Sequence, residues 1–131
     1  MIIKKKIEIV YEPLKDLVFL KQLIKKGKIH SVLLFGSYVK DEATLRSDVD
    51  VCVVAPKLKT IEDKVKLLRE IWHNLNKPYD IWLFEELPLY MKISIIKNHK
   101  IIFSRNIPEL YFYFYFYRKL WQDQAINRIE I

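Results

Sequence analysis

Residues 36–50 read Gly-Ser-Tyr-Val-Lys-Asp-Glu-Ala-Thr-Leu-Arg-Ser-Asp-Val-Asp and connect two short apolar runs. The first run, residues 29–35, ends at Gly36, and the second, residues 48–55, is valine-rich and opens with Asp48 and Asp50. Each run has the length and composition of a buried strand. A small-residue pair after one strand, followed by paired carboxylates at the start of the next, indicates a triphosphate cradle beside a metal-binding site.

The paired carboxylates carry the chemistry that this stretch predicts. Side chains two apart on a strand point to the same face, so the carboxylates of Asp48 and Asp50 would converge. Adjacent carboxylates repel each other unless a cation neutralises them, and Mg²⁺ prefers oxygen ligands while leaving positions open for phosphate. Asp80 lies near the start of a third short apolar run, residues 79–84, and is the candidate third carboxylate of a site for two magnesium ions.

The phosphate-binding half of the site falls on the residues after the first strand. Glycine at position 36 would let the backbone approach a phosphate closely, and Ser37 offers a hydroxyl and a helix N-cap. Lys40 and Arg46 would add positive charge toward the β- and γ-phosphates. A short helix over residues 38–43 would follow the Ser37 cap.

Length and composition fit a small globular protein with a phosphate-bearing partner. The chain has 131 residues, of which 51% are hydrophobic, and we expect residues 1–131 to form a single domain. Its net charge of +7 suits nucleic acid or nucleotide, although the lysines are spread along the chain as on an ordinary solvated surface. Cys52 is the only cysteine, and no run is long enough for a signal peptide or a membrane span, so we expect a cytoplasmic protein.

The rest of the chain predicts helices that alternate with short strands. Residues 1–10 weakly suggest an edge strand, and Lys100 to Ser104 a last one. Helices are predicted over residues 13–26, 60–77, 87–97 and 106–128, each opened by a cap or a proline. In the second of these, Ile61, Val65, Leu68, Trp72 and Leu75 keep helical spacing. This order implies an α/β or α+β domain with a small mixed sheet flanked by helices.

The segment Tyr-Phe-Tyr-Phe-Tyr-Phe-Tyr at residues 111–117 is ambiguous. Its strict alternation favours a strand, whereas Leu110, Phe114, Tyr117 and Trp121 fall on one helical face, and we favour the helix. Four aromatic residues then point away from that face: Tyr111, Phe112, Tyr115 and Phe116. A surplus apolar face of this kind marks a partner surface, unless neighbouring elements of the same chain cover it.

The pattern Gly36-Ser37-x10-Asp48-x-Asp50 resembles the motif of the DNA polymerase β-like nucleotidyltransferase superfamily, and the short chain is similar to its minimal nucleotidyltransferases (MNT). Ser47 before the carboxylate pair and the later segments 86–88, 98–103 and 118–123 also resemble family blocks. The resemblance implies a nucleotidyltransferase fold, with Gly36 and Ser37 on the nucleotide phosphates and with Asp48, Asp50 and Asp80 on two magnesium ions. It further implies an antitoxin that transfers AMP from ATP onto a tyrosine of a helical HEPN ribonuclease toxin, in a hetero-oligomer.

The chain departs from the family directly after Gly36-Ser37. Many members carry an Arg-x-Arg-Gly-like run there, whereas this chain has Tyr38-Val39-Lys40-Asp41. One positive charge is kept at Lys40, and Asp41 adds a negative one. Two other functions therefore stay open: a non-catalytic antitoxin that blocks the toxin sterically, and a transferase that modifies a small molecule or an RNA end.

Overall fold

The computed structural model describes residues 8–9, 17–36, 49–75 and 79–129. In chain order the elements are β1 (Glu8–Ile9), α1 (Leu20–Lys25), β2 (Ser31–Phe35), β3 (Val49–Val54), α2 (Ile61–His73), β4 (Tyr79–Leu83), a 3-10 turn (Phe84–Glu86), α3 (Leu89–Lys97), β5 (Lys100–Ser104) and α4 (Ile107–Ile129). These bounds confirm the predicted succession of short strands and helices within the described residues. The predicted helix over residues 38–43 lies outside them.

The strands form one mixed sheet in the order β1-β5-β2-β3-β4. β2 runs antiparallel to both of its neighbours, β3 and β5, whereas β3 and β4 are parallel. Parallel strands need a crossover connection, and α2 supplies it between β3 and β4. The predicted small mixed sheet flanked by helices is therefore confirmed, whereas a single domain over residues 1–131 stays a prediction.

Helices cover both faces of the sheet, and each face has its own apolar core. On one face the side chains of α1 and α2 pack on alternate residues of the strands, among them Val51 and Val53 of β3. On the other face α3 and α4 pack over Leu33, Cys52 and Val54 together with Phe84 of the 3-10 turn. The two-residue alternation of β3 therefore assigns Asp50, two residues before Cys52, to the α3 and α4 face.

The apolar stripe expected on α2 packs against the sheet only in part, through Leu68 and Leu75. The helix begins as predicted, because Thr60 Oγ1 accepts a hydrogen bond from the backbone N–H of Asp63 at 3.1 Å. Its buried residues are Leu67 and Ile71, however, whereas Ile61 and Trp72 of the predicted stripe are exposed. Leu67 and Ile71 are spaced by one helical turn as well, so spacing alone fitted either stripe and packing on the sheet selects this one.

The aromatic segment at residues 111–117 is helical, which rejects the strand alternative. Asn106 Oδ1 accepts a hydrogen bond from the backbone N–H of Glu109 at 2.9 Å and caps the start of α4. Leu110 and Phe114 are buried, one turn apart, and the Phe114 ring lies 5.3 Å from the Phe84 ring between centroids. These contacts fix the helix on the sheet. Among the described residues, no helix combines the length and apolar character that crossing a bilayer requires.

Candidate active site

Gly36 and Asp50 meet where β2 ends and β3 begins. Phe35, the last residue of β2, is the register partner of Asp50 on β3. Gly36 follows with φ +76°, a conformation that residues with a Cβ rarely adopt. A Cβ built at Gly36 would overlap Oδ2 of Asp50 and would lie 3.3 Å from its Cγ. Glycine therefore satisfies two requirements here: the left-handed backbone and the space that the Asp50 carboxylate occupies.

Asp50 and Asp80 lie side by side on neighbouring strands. They are register partners in the parallel pair of β3 and β4, so both side chains lie on the same face of the sheet. Neighbouring strands are about 4.8 Å apart, which brings the two carboxylates within reach of one cation. Asp50 is half-buried and Asp80 is exposed, so solvent reaches the pair. The sequence suggested that Asp80 would lie beside the carboxylate motif, and the strand register pairs it with Asp50 of that motif.

The other predicted site residues cannot be located relative to this pair. Ser37, Lys40, Arg46 and Asp48 all lie outside the described residues. Within the described ranges, no three histidine, cysteine, aspartate or glutamate side chains form a group that could hold a metal ion. The described part of the candidate site consists of Gly36, Asp50 and Asp80.

Glu85 joins three elements at the end of β3 and β4 opposite the carboxylate pair, and nothing in the sequence singled it out. Its Oε1 accepts a hydrogen bond from the backbone N–H of Ala55 at 2.9 Å, directly after β3. Its Oε2 accepts one from the Tyr113 hydroxyl of α4, also at 2.9 Å. In a sequence, Glu85-Glu86 resembles an ordinary solvated acidic pair. No sequence signal indicates its half-buried role, because its two partners come from distant parts of the chain.

The Glu85 network sets the ionisation of two neighbours. Burial, followed by the nearby charge of Glu85, raises the pKa of the Cys52 thiol well above its usual value. Burial, the hydrogen bond with Tyr117 and the charge of Glu85 together raise the pKa of Tyr113 far above its usual value. Both groups therefore stay neutral in the folded protein at physiological pH. They are structural acids that stay protonated, and neither is suited to act as a base.

Tyr111, Phe112, Tyr115 and Phe116 form an exposed aromatic stripe on α4. The rings of this stripe point away from the sheet, whereas Leu110 and Phe114 of the same helix are buried against it. The outward direction predicted for these four residues is therefore confirmed. No described element of the chain covers the stripe, since every one of its side chains is at least 50% exposed.

A shallow surface cavity of about 30 Å³ lies at the other end of the sheet. Its walls come from the turns before β2, after β3 and after β5, and they include Lys28, His30, Lys57 and Arg105. His30 hydrogen-bonds Ser31 Oγ at 2.7 Å and Glu109 Oε2 at 3.0 Å, so it links the start of β2 to the start of α4. The strand directions separate this cavity from Gly36 and Asp50 by the length of β2 and β3, so it does not belong to the carboxylate site.

Comparisons with known proteins agree with this geometry. Residues 18–108 match the sequence profile described as polymerase beta, nucleotidyltransferase. A Methanocaldococcus jannaschii protein, whose name ascribes protein adenylyltransferase activity to it, is 48% identical over 97 residues, which cover 74% of this chain and 73% of that protein. A second M. jannaschii protein with the same ascribed activity is 36% identical over 75 residues, which cover 57% of this chain and 71% of that protein.

Solved structures of toxin–antitoxin systems share the fold. A toxin–antitoxin crystal structure with AMP-PNP superposes with a TM-score of 0.67 at 17% identity, covering 89% of this chain and 94% of the other. A structure of tri-AMPylated HEPN toxin with MNT antitoxin from Shewanella oneidensis superposes with a TM-score of 0.61 at 14% identity, covering 88% and 91%. The resemblance to the nucleotidyltransferase superfamily is thereby confirmed, and this chain belongs to the polymerase beta nucleotidyltransferase family.

Proposed function

We propose that this protein is a magnesium-dependent adenylyltransferase that moves AMP from ATP onto a tyrosine of a HEPN partner and thereby acts as its antitoxin. The observation that carries the proposal is the register of Asp50 with Asp80 beside Gly36, on the sheet of a nucleotidyltransferase. The protein adenylyltransferase activity ascribed to the 48% identical relative supports the AMP donor and the protein acceptor. The HEPN toxin bound by a protein of the same fold supports the choice of partner.

The carboxylates fit a hard divalent cation. Asp50 and Asp80 present oxygen ligands on adjacent strands, and the missing Cβ of Gly36 leaves room for the Asp50 carboxylate. Asp48, two residues before Asp50, would complete the set that holds two magnesium ions. When bound, magnesium neutralises phosphate charge and lowers the pKa of a hydroxyl nucleophile. Oxygen ligands alone, with no thiolate or imidazole, favour magnesium over zinc.

The remaining residues of the cradle would bind and orient the nucleotide. The Gly36 backbone and Ser37 would hold the triphosphate, and Lys40 and Arg46 would neutralise its outer phosphates. The negative charges of Asp41 and Glu42 lie in the same stretch and would oppose them. The tyrosine oxygen would then attack the α-phosphorus in line, forming a new P–O bond as the bond to pyrophosphate breaks.

Partner binding would fall to the aromatic stripe of α4. Aromatic residues are enriched at the centres of protein interfaces, where their large apolar surface is removed from water. The stripe lies on the outer side of the helix that covers the carboxylate face of the sheet. A partner held there would be anchored on the layer next to the site, which suits a substrate that is itself a folded protein.

The test is transfer of label from α-³²P-ATP to the purified HEPN protein. We expect transfer by the wild type with Mg²⁺, none after chelation by EDTA, and recovery when Mg²⁺ is restored. Asp50→Asn and Asp80→Asn should each lower the rate at least about 100-fold, because each removes a charge that a cation needs. Asp63→Asn on α2, an exposed carboxylate away from this face, should leave the rate unchanged.

Absence of label transfer by the wild type with Mg²⁺ or Mn²⁺ would reject the proposal. Label on the HEPN protein that survives mutation of its tyrosines to phenylalanine would reject the tyrosine acceptor. If Asp80→Asn transfers label at the same rate as Asp63→Asn, Asp80 is not part of the active site.

The exposed aromatic stripe also favours a second candidate, an antitoxin that works by binding alone. In that case Asp50→Asn combined with Asp80→Asn would still neutralise the toxin fully in co-expressing cells. If this double substitution restores toxicity while the complex still forms, neutralisation of the toxin requires the transferase reaction.

A further inference from the structure

Trp82 is a large aromatic side chain on the carboxylate face of the sheet, one strand repeat beyond Asp80. Asp80, Trp82 and Phe84 alternate along the same face, and the register pairs Trp82 with Cys52 as it pairs Asp80 with Asp50. Phe84 is buried beneath α4, whereas 39% of the Trp82 surface stays exposed. An indole therefore lies open to solvent roughly 7 Å along the strand from Asp80.

The order of the strands gives the two sides of the site different neighbours. Gly36 follows β2 on one side of Asp50, and Asp80 lies on β4 on the other side. Under the proposed function, the β- and γ-phosphates bind at Gly36. In-line displacement requires the nucleophile opposite the leaving pyrophosphate, so the acceptor hydroxyl approaches from the Asp80 side.

The Asp80 side of the described sheet is open to a large acceptor. β4 is the edge strand of the sheet, with no described strand beyond it. A side chain presented by a folded protein can reach this edge, whereas on the Gly36 side of Asp50 the sheet continues through β2 and β5. Trp82 flanks the path along which such a side chain would reach Asp80.

We infer that Trp82 positions the acceptor by packing its indole against the ring of the incoming tyrosine. The inference rests on the proposed function and deepens it by naming the residue that selects an aromatic hydroxyl. The phenolic oxygen bonds to the α-phosphorus, the bond to pyrophosphate breaks with its electron pair, and the phenolic proton passes to the Asp80 carboxylate or to water. Offset or edge-to-face aromatic pairs form at centroid distances of 4.5–7 Å, so a ring packed on this indole can place its hydroxyl near Asp80, roughly 7 Å along the strand.

The kinetic test compares Trp82→Ala and Trp82→Phe with the wild type and with Trp72→Ala. Trp72 is the matched control because it is 54% exposed and belongs to α2, on the other face of the sheet. We expect Trp82→Ala to raise the KM for the HEPN protein about five- to tenfold, the range for loss of an aromatic pair, while the KM for ATP stays within twofold. Trp82→Phe should retain most of the affinity.

A rise in the KM for ATP with Trp82→Ala would overturn the inference, since it would assign the indole to the nucleobase. Unchanged kinetics in both Trp82 variants would overturn it as well. Far-UV circular dichroism of the variants excludes a folding defect, and Trp82→Phe keeps an aromatic ring on the strand if the alanine variant fails to fold.

A photocrosslinking experiment separates this inference from the proposed function. p-Benzoylphenylalanine at position 82 should crosslink to the HEPN protein close to its acceptor tyrosine, and the same probe at position 72 should not. Crosslinking at position 82 without label transfer by the wild type would reject the transferase proposal and keep the Trp82 contact. Label transfer without crosslinking at position 82 would reject the Trp82 contact and keep the transferase.

Discussion

Two glycines have nearly the same backbone angle, but only one of them contacts the candidate site. Substituting each in turn therefore distinguishes the cost of backbone strain from the effect of that contact. Gly36 has φ +76° and Gly27 has φ +74°, but a Cβ at Gly27 would meet nothing within 4 Å. Alanine in this region costs about 1–2 kcal/mol of strain. We expect Gly27→Ala to lose that much unfolding free energy in urea titrations and to keep its transferase rate.

Gly36→Ala should lose at least as much stability and should also lose activity. Its Cβ would displace the Asp50 carboxylate, and a displacement of about 1 Å in a catalytic group costs on the order of 100-fold in rate. The measurement is the initial rate of label transfer for the two alanine variants side by side. Equal rates would mean that the space left by Gly36 serves the fold alone.

For single residues, the sequence predicted which side chains belong to the candidate site better than it predicted their spatial neighbours. The spacing of Asp48 and Asp50 predicted a shared face, and Asp80 was selected by its position at the start of a strand. Its pairing with Asp50 depends on the parallel order of β3 and β4, a long-range property. Glu85 could not be predicted, because its two partners come from Ala55 and Tyr113, far apart in the chain.

Among the elements, α4 is joined to the 3-10 turn by a half-buried polar contact. Tyr113 donates its hydroxyl to Glu85 Oε2, and Tyr117 lies 3.2 Å from the same hydroxyl. Tyr113→Phe leaves the half-buried carboxylate without that donor, and we expect a loss of about 1–2 kcal/mol in unfolding free energy at pH 7. Tyr115→Phe is the control: its side chain is exposed, so its loss should stay below about 0.5 kcal/mol.

The same contact predicts how stability depends on pH. Because folding raises the pKa of Tyr113, the unfolded chain ionises first as pH rises, near its ordinary pKa of about 10. The stability that Tyr113 contributes is therefore complete below about pH 10 and is lost above it. The difference between the wild type and Tyr113→Phe should shrink from pH 10 upward, and a constant difference up to pH 11 would contradict the raised pKa.

The sequence predicted which segments are helices where caps and apolar spacing agreed. It did not predict for every helix which face is buried. Thr60 and Asn106 mark the starts of α2 and α4, and both caps form as predicted. Two apolar stripes were available on α2, and only contact with the sheet distinguishes Leu67 and Ile71 from Ile61. For α4, the Tyr/Phe alternation was compatible with a strand until the burial of Phe114 against Phe84 fixed the helix.

The whole molecule combines a site open at one sheet edge with an aromatic stripe on the layer above it. Placing charged side chains in that stripe should weaken partner binding and leave the fold intact. Phe112 and Phe116 are 78% and 62% exposed, so Phe112→Asp with Phe116→Asp should change unfolding free energy by less than about 1 kcal/mol. Aromatic anchors at interface centres contribute about 2 kcal/mol each, so affinity for the HEPN protein should fall at least about 30-fold.

Ile61→Asp supplies the matched control for this last prediction. Ile61 is 79% exposed and lies on α2, on the opposite layer, so one such charge is introduced into an apolar position as exposed as Phe112. Isothermal titration calorimetry with the HEPN protein should give wild-type affinity for Ile61→Asp and an affinity at least about 30-fold weaker for the double variant. If the double variant binds normally, another surface holds the partner. If the wild type alone is a dimer in gel filtration and the double variant is a monomer, a second copy of the chain covers the stripe. That result would also reject an antitoxin that blocks the toxin sterically through the stripe.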